Sequence, residues 1–153
     1  MRTKGFGSTW HLSRSRLKRI LDRMTRIRIL VIGDLILDEF IWGTVERISP
    51  EAPVPVVWAE RESAMPGGAA NVASNVRALG GQAELLGIVG PDAGGRRLRQ
   101  ELQGRGLSTD GIFVDRHRPT TLKTRVVAQH QQVVRIDRER VDRVAGPALE
   151  QVL

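Results

Sequence analysis

Between Pro66 and Gly80 the sequence Pro-Gly-Gly-Ala-Ala-Asn-Val-Ala-Ser-Asn-Val-Arg-Ala-Leu-Gly sets two glycines directly before a helical pattern. No other stretch constrains the chain as much. Ala69, Val72, Ala73, Val76 and Leu79 recur at helical spacing, and Gly80-Gly81 supplies the stop. Backbone N–H groups at a helix start lack intrahelical partners and favour oxygen-rich ligands. Glycines let a ligand or a strand approach the main chain closely. Asn71 donates and accepts at once, which suits a sugar hydroxyl. The same residues also make an ordinary turn, cap and core helix, and the stretch alone leaves both readings open.

The segments around it alternate between strand and helix. Ser15 to Met24 places Leu17, Ile20, Leu21 and Met24 on one face, which predicts a short amphipathic helix packed against apolar surface. Ile27 to Ile32 is nearly continuous and mostly β-branched, and Gly33-Asp34 closes it, as expected of a buried parallel strand. Asp34 and Asp38 then leave the C-terminal end of that strand, where ligands of open α/β sheets bind. Asp34 also fits a turn cap, whereas Asp38 sits among Leu37, Phe40 and Ile41 and is read equally as structural or functional. Gln82 to Val89 reads as a short strand, Arg96 to Arg105 as a helix with Leu98 and Leu102 on one stripe, and Gly111 to Val114 as another strand. Asp92 is placed to cap that helix, and the glycines beside it resemble a phosphate loop only loosely. This order predicts an α/β fold with right-handed crossovers.

Two regions break the rhythm. Phe40 to Val45 and Val54 to Glu62 read as strands joined by a connector with Pro50, Pro53 and Pro55, residues that belong at a sheet edge or in a lid. Both faces of Val54 to Ala59 are apolar, so the pair wants a partner on each side, either the main body or a second subunit. Thr120 to Asp137 reads as a β-hairpin around a polar Gln129–Gln132 turn, joining the earlier pair in a small separate sheet. Thr121, Lys123, Arg125 and Val127 share one face. Lys123 and Arg125 there either hold an anion or form a solvated face with salt bridging to Asp137. His130 reads as a turn residue, since no second metal ligand stands at suitable spacing.

A length of 153 residues fits one core. The absence of cysteine excludes a disulfide framework and a thiolate metal site and fits a reducing, cytoplasmic compartment. No apolar run approaches the roughly 20 residues that span a bilayer, so no membrane role is expected. The net charge of +7 suggests a polyanion partner until it is placed along the chain. Residues 1–28 hold nine Lys or Arg against Asp22, leaving fifteen bases against sixteen acids in the rest. The basicity therefore belongs to a leader, read as a disordered arm over residues 1–14, and nucleic-acid binding by it is the less favoured alternative. The lack of tyrosine argues against a base-stacking platform.

Three segments carry a resemblance to the ribokinase-like, phosphofructokinase-B type carbohydrate kinases. They are Val31-Ile32-Gly33-Asp34 with Asp38, Gly67-Gly68-Ala69-Ala70-Asn71-Val72-Ala73, and Gly87-Ile88-Val89-Gly90-Pro91-Asp92-Ala93-Gly94. Within that family the chain looks most like the heptose 7-phosphate kinases of ADP-heptose synthesis. That narrower likeness rests on Arg47-Ile48-Ser49-Pro50-Glu51-Ala52-Pro53-Val54-Pro55-Val56 and on Gln131-Gln132-Val133-Val134-Arg135-Ile136-Asp137. The resemblance implies the N-terminal half of an αβα sandwich over residues 15–153, with lid strands near 40–62 and 120–137. It implies that Asp38 and Asn71 hold sugar hydroxyls and that Gly67-Gly68 is the hinge of a closing lid. Lys123 and Arg125 become ligands of the sugar's own phosphate. It implies further that the family dimerises through the lid.

ATP and Mg²⁺ are expected for the intact enzyme. The resemblance assigns the ATP site and the catalytic base to a Gly-Ala-Gly-Asp type segment that these 153 residues do not contain. The expectation is therefore an acceptor-binding half without kinase activity of its own, with no catalytic residue assigned here. The rival expectations are a non-catalytic lid or dimerisation module, and a kinase of another sugar phosphate or a nucleoside.

Overall fold

In the computed structural model, residues 12–143 and Glu150 are described. In chain order the elements are α1 (Arg14–Met24), β1 (Arg28–Ile32), β2 (Leu35–Ile48), β3 (Pro55–Gly67), α2 (Gly68–Ala78), β4 (Gln82–Val89), α3 (Ala93–Gly104), β5 (Ile112–Val114), β6 (Thr121–Ala128) and β7 (Gln131–Arg138). The expected basic leader falls almost wholly outside the described residues, as does the helix expected at the chain's end.

β1, β4 and β5 form a parallel sheet in the order β1-β4-β5. Its Val31, Leu85, Val89 and Ile112 meet Ala70 and Ala73 of α2 and Leu98 and Leu102 of α3 in one buried cluster. Alanines on the inner side of α2 let the helix approach the sheet closely. The buried stripe accordingly runs through Ala70 and Ala73, while Val72 and Leu79, expected on that face, are exposed. β1 also departs from expectation. It is parallel, but it lies at the sheet's edge and only Val31 is buried. The amphipathic helix α1 forms where the spacing predicts, capped by Ser13, yet it buries none of its residues among those described, so the packing expected of Leu17, Ile20 and Leu21 is not found.

The second sheet has the order β3-β2-β6-β7. β2 pairs antiparallel with β3 and parallel with β6, and β6 pairs antiparallel with β7. The hairpin joins the earlier strand pair as expected, but its turn is tighter. Only Gln129 and His130 lie between the strands, both at positive φ (49° and 66°), the conformation two-residue hairpins require. β2 begins at Leu35, five residues earlier than expected, so Asp38 sits within a strand instead of a loop.

Asp92 ties the two sheets together. One carboxylate oxygen accepts the Gly95 N–H at 2.9 Å and caps α3, which therefore starts at Ala93. The other accepts the Thr120 N–H at 2.8 Å, one residue before β6. Thr120 is buried, and its hydroxyl accepts the Gly90 N–H at 2.9 Å. Burial by itself would raise the Asp92 carboxyl, but hydrogen bonds from Thr120 and from the Gly95 N–H outweigh it and hold the group below its usual range. A lowered folded-state pKa means the contribution is fully present above the unfolded value of about 3.9 and is lost as pH falls through the folded one. Asp92→Ala is expected to cost about 1–2 kcal/mol in urea unfolding at neutral pH. Asp92→Asn, still a good cap, is expected to lose less and to flatten the acid limb of stability against pH.

Candidate functional site

Alternation along β2 puts Ile36, Asp38, Phe40 and Trp42 on one face and Leu35, Leu37 and Glu39 on the other. Leu35 and Leu37 are buried in the core, so the Asp38 face looks away from it. In register, Asp38 stands opposite Met65 of β3 and Lys123 of β6, and Phe40 stands opposite Ser63 and Arg125. Arg125 Nη1 donates to Asp38 Oδ1 at 2.6 Å, and its guanidinium lies 5.3 Å from the Phe40 ring centroid. Both side chains of the pair are about one-fifth exposed, so the pair is reachable from solvent. The second Asp38 oxygen abuts Gly67, where any Cβ would overlap it.

Lys123 turns the other way. Its Nζ is 3.1 Å from both Asp137 and Glu139, whose hydrogen bonds, Glu139's the stronger, raise its pKa above the usual lysine value. Asp137 is held below the usual carboxylate range by Arg135 first and Lys123 second. Of the two readings of this face, salt bridging to Asp137 therefore describes Lys123, whereas Arg125 faces Asp38.

Gly67 ends β3 and Gly68 begins α2. Gly68 has φ +54°, and a Cβ there would overlap the Asp34 carbonyl, which accepts the Ala69 N–H at 2.9 Å. No side chain caps α2. The strand-to-helix junction is thus closed by backbone against backbone, which only glycine permits. Asn71 lies in the first turn of α2, exposed and without a hydrogen bond to Asp38, Lys123 or Arg125. Among the described residues no cluster of His, Cys, Asp or Glu could hold a metal ion.

The pfkB family carbohydrate kinase model matches residues 26–152. The chain belongs to the pfkB carbohydrate kinase family. It is 47% identical over 142 residues to the bifunctional protein HldE of Geotalea uraniireducens, covering 93% of this chain and 29% of that protein. It is 53% identical over 112 residues to HldE of Helicobacter pylori strain J99, covering 73% and 24%. Among solved structures it resembles the Cryptococcus neoformans ribokinase in complex with ADP (TM-score 0.53, 26% identity, 72% of this chain and 33% of that one). The Arabidopsis thaliana ribokinase complexed with ribose and ATP matches at TM-score 0.57 and 21% identity, covering 71% and 34%. The fold is accordingly ribokinase-like, and the chain spans less than a third of the HldE proteins it matches.

Measured against the pfkB family resemblance, the structure brings Asp38, Arg125 and Gly67 together and leaves Lys123 in its own ion pairs. Sequence reading did not find the Asp38–Arg125 pair, because the signal lies in the parallel β2–β6 register. Nor did it find Glu39, whose two oxygens reach Arg97 of α3 at 3.3 Å and Thr124 of β6 at 3.2 Å from the opposite face. The available hint was the alternation of β2, which sets one acid on each face.

Gly67→Ala is expected to push the Asp38 carboxylate off Arg125. The expected cost is about 1–3 kcal/mol by urea unfolding, as for overpacking elsewhere. In the same variant, NMR is expected to show the Arg125 guanidinium protons returning to fast exchange with water.

Proposed function

We propose that the chain is the acceptor-sugar-binding part of an ATP-dependent carbohydrate kinase that phosphorylates heptose 7-phosphate at its anomeric oxygen in ADP-heptose synthesis. The observation that carries this reading is the carboxylate of Asp38, held by Arg125 on the open face of the small sheet and pressed against the glycine junction. A carboxylate accepts from two hydroxyls at once, and Asn71 adds a donor and an acceptor on the neighbouring helix turn. Gly67 and Gly68 serve as the joint at which the lid closes over the sugar. Closure excludes water, which would otherwise take the phosphoryl group. Arg125 offers a planar fork to the sugar's existing phosphate, and Lys123 adds a point charge. With its own acids already in place, Lys123 is the weaker ligand of the two.

ATP with Mg²⁺ supplies the phosphoryl group, and its transfer depends on positioning and charge neutralisation. Membership of the carbohydrate kinase family and the ribokinase neighbour solved with ADP support that donor. None of the residues described here is assigned to hold it. The reading extends to a cytoplasmic enzyme that dimerises through the lid, where Trp58 is 72% exposed and Ile48 and Val54 also face water.

Calorimetric titration of the chain with heptose 7-phosphate tests the proposal. The expected result is saturable binding that Asp38→Asn abolishes. Arg125→Ala is expected to weaken the phosphorylated sugar about 10- to 100-fold, the worth of one charge-assisted hydrogen bond, and to leave the unphosphorylated heptose nearly unchanged. Equal affinity for fructose 6-phosphate or adenosine would overturn the heptose assignment, and no effect of Asp38→Asn would overturn the site.

A further inference from the structure

The open face of the four-stranded sheet continues past Asp38. Phe40 and Trp42 follow it by strand alternation, and their rings stack with centroids 5.7 Å apart and planes 15° from parallel. Both are half-buried, so the two rings make an apolar floor beside the carboxylate. Arg125 lies over Phe40 at the near end of that floor. At the far end Arg61 stands opposite Trp42 in the β2–β3 register, and its guanidinium lies over the Trp42 ring at 5.0 Å from the centroid. Trp42 Nε1 donates to Ser63 Oγ at 3.2 Å, which steadies the ring that carries Arg61.

Arg61 differs from the other cations of this face. Lys123 is held by Asp137 and Glu139, Arg135 by Asp137, and Arg125 by Asp38. Among the described residues Arg61 forms no ion pair, and the adjacent Glu60 instead accepts from Thr44 Oγ1 at 3.3 Å. A guanidinium held by its flat side keeps its N–H fork free for an anion.

We propose that Arg61 is a specificity-determining residue of the acceptor site, the cation that meets a phosphate carried at the far end of the acceptor's carbon chain. The inference rests on the acceptor-sugar reading above and adds how the site measures the length of its acceptor. Same-face residues of a strand stand about 6.6 Å apart, so Trp42 lies about 13 Å along β2 from Asp38. A sugar ring whose hydroxyls engage Asp38 lays its exocyclic carbons on the apolar floor of Phe40 and Trp42. A phosphate attached close to the ring stays with Arg125, whereas one at the end of a seven-carbon sugar comes within reach of Arg61. Lys123 fits the distal role less well. It stands opposite Asp38 itself, at the near end, and would have to leave both of its carboxylates.

The test is calorimetric titration of the 153-residue chain with heptose 7-phosphate, ribose 5-phosphate and unphosphorylated heptose. Arg61→Ala is expected to weaken heptose 7-phosphate about 10-fold, the worth of one charge-assisted hydrogen bond, and to leave the other two ligands nearly unchanged. Arg61→Lys, which keeps the charge and loses the fork, is expected to recover part of that loss. Lys123→Ala is expected to cost less than Arg61→Ala, and Arg96→Ala on α3, an equal loss of charge elsewhere, to cost nothing. By NMR the Arg61 Nε–H and Trp42 indole N–H signals are expected to shift with heptose 7-phosphate and not with heptose. Arg61 is exposed, so the Arg61→Ala chain is expected to keep its circular dichroism spectrum. Binding of heptose 7-phosphate that Asp38→Asn abolishes and Arg61→Ala leaves intact would overturn this inference alone. Equal weakening of all three ligands by Arg61→Ala, or a larger loss from Lys123→Ala, would do the same. Absence of binding by the unsubstituted chain would overturn it together with the acceptor-sugar reading.

Discussion

The placement of Asp38 on the open face of the small sheet depends on the contact between its carboxylate and the bare backbone at Gly67. β3 ends there and α2 begins one residue later, with φ +54° at Gly68 and the Asp34 carbonyl filling the space a side chain would need. A Cβ at Gly67 would displace the Asp38 carboxylate, and one at Gly68 would overlap the backbone carbonyl of Asp34, one residue before β2. The β2–β3 register sets Asp38 opposite Met65 and the β2–β6 register sets it opposite Lys123, which brings its carboxylate within reach of Arg125. The glycine pair is therefore a packing requirement, whatever else it does.

Two cations on one strand face end up in different electrostatic states because their cross-strand neighbours differ. Lys123 stands opposite Asp137, with Glu139 close by, and its charge is balanced by two carboxylates of the hairpin side. Arg125 stands opposite Arg135, a like charge, which itself turns to Asp137. With no acid on β7 opposite it, Arg125 reaches to Asp38 on the adjoining β2 and lies over Phe40. To engage any other anion, Arg125 would leave a single carboxylate partner and Lys123 would leave two. Coulomb attraction falls with distance and with solvent screening, and the Asp38–Arg125 pair keeps contact with water. That makes the pair adjustable rather than locked.

How much of this the sequence revealed varies with the physics involved. Alternation, glycine stops and capping residues are local, so β4, the hairpin, the Asp92 cap and the Leu98–Leu102 stripe were all legible. The chemistry of the Gly67-Gly68 junction was legible too, because few residue types satisfy it. Side-chain pairing across β2 and β6 was not, since a parallel register between strands 85 residues apart leaves no local mark. Hydrophobic spacing puts Val72 and Leu79 on the inner stripe of α2 because valine and leucine outrank alanine in any hydrophobic count, whereas close helix–sheet contact selects for smallness. The composition of β1 predicts a buried strand, yet only Val31 is buried. That composition reports the environment the strand is suited to, and its neighbours decide whether that environment is present.

The four-stranded sheet meets the rest of the fold through contacts of unequal stiffness. On the α3 side Asp92 fixes Thr120, and Glu39 bonds both Arg97 and Thr124, so β2 and β6 are tied to one helix by charged groups. On the α2 side β3 passes through two glycines with no side-chain cap at the helix. A rotation of the small sheet would strain directional, charge-assisted hydrogen bonds on the first side and only backbone torsions on the second. The compliant direction of such a rotation lies at Gly67-Gly68, next to Asp38. Motion there alters the surroundings of the Asp38–Arg125 pair while the base of β6 stays anchored, so a ligand that bridges Asp38 and α2 would be sensed first at the glycines.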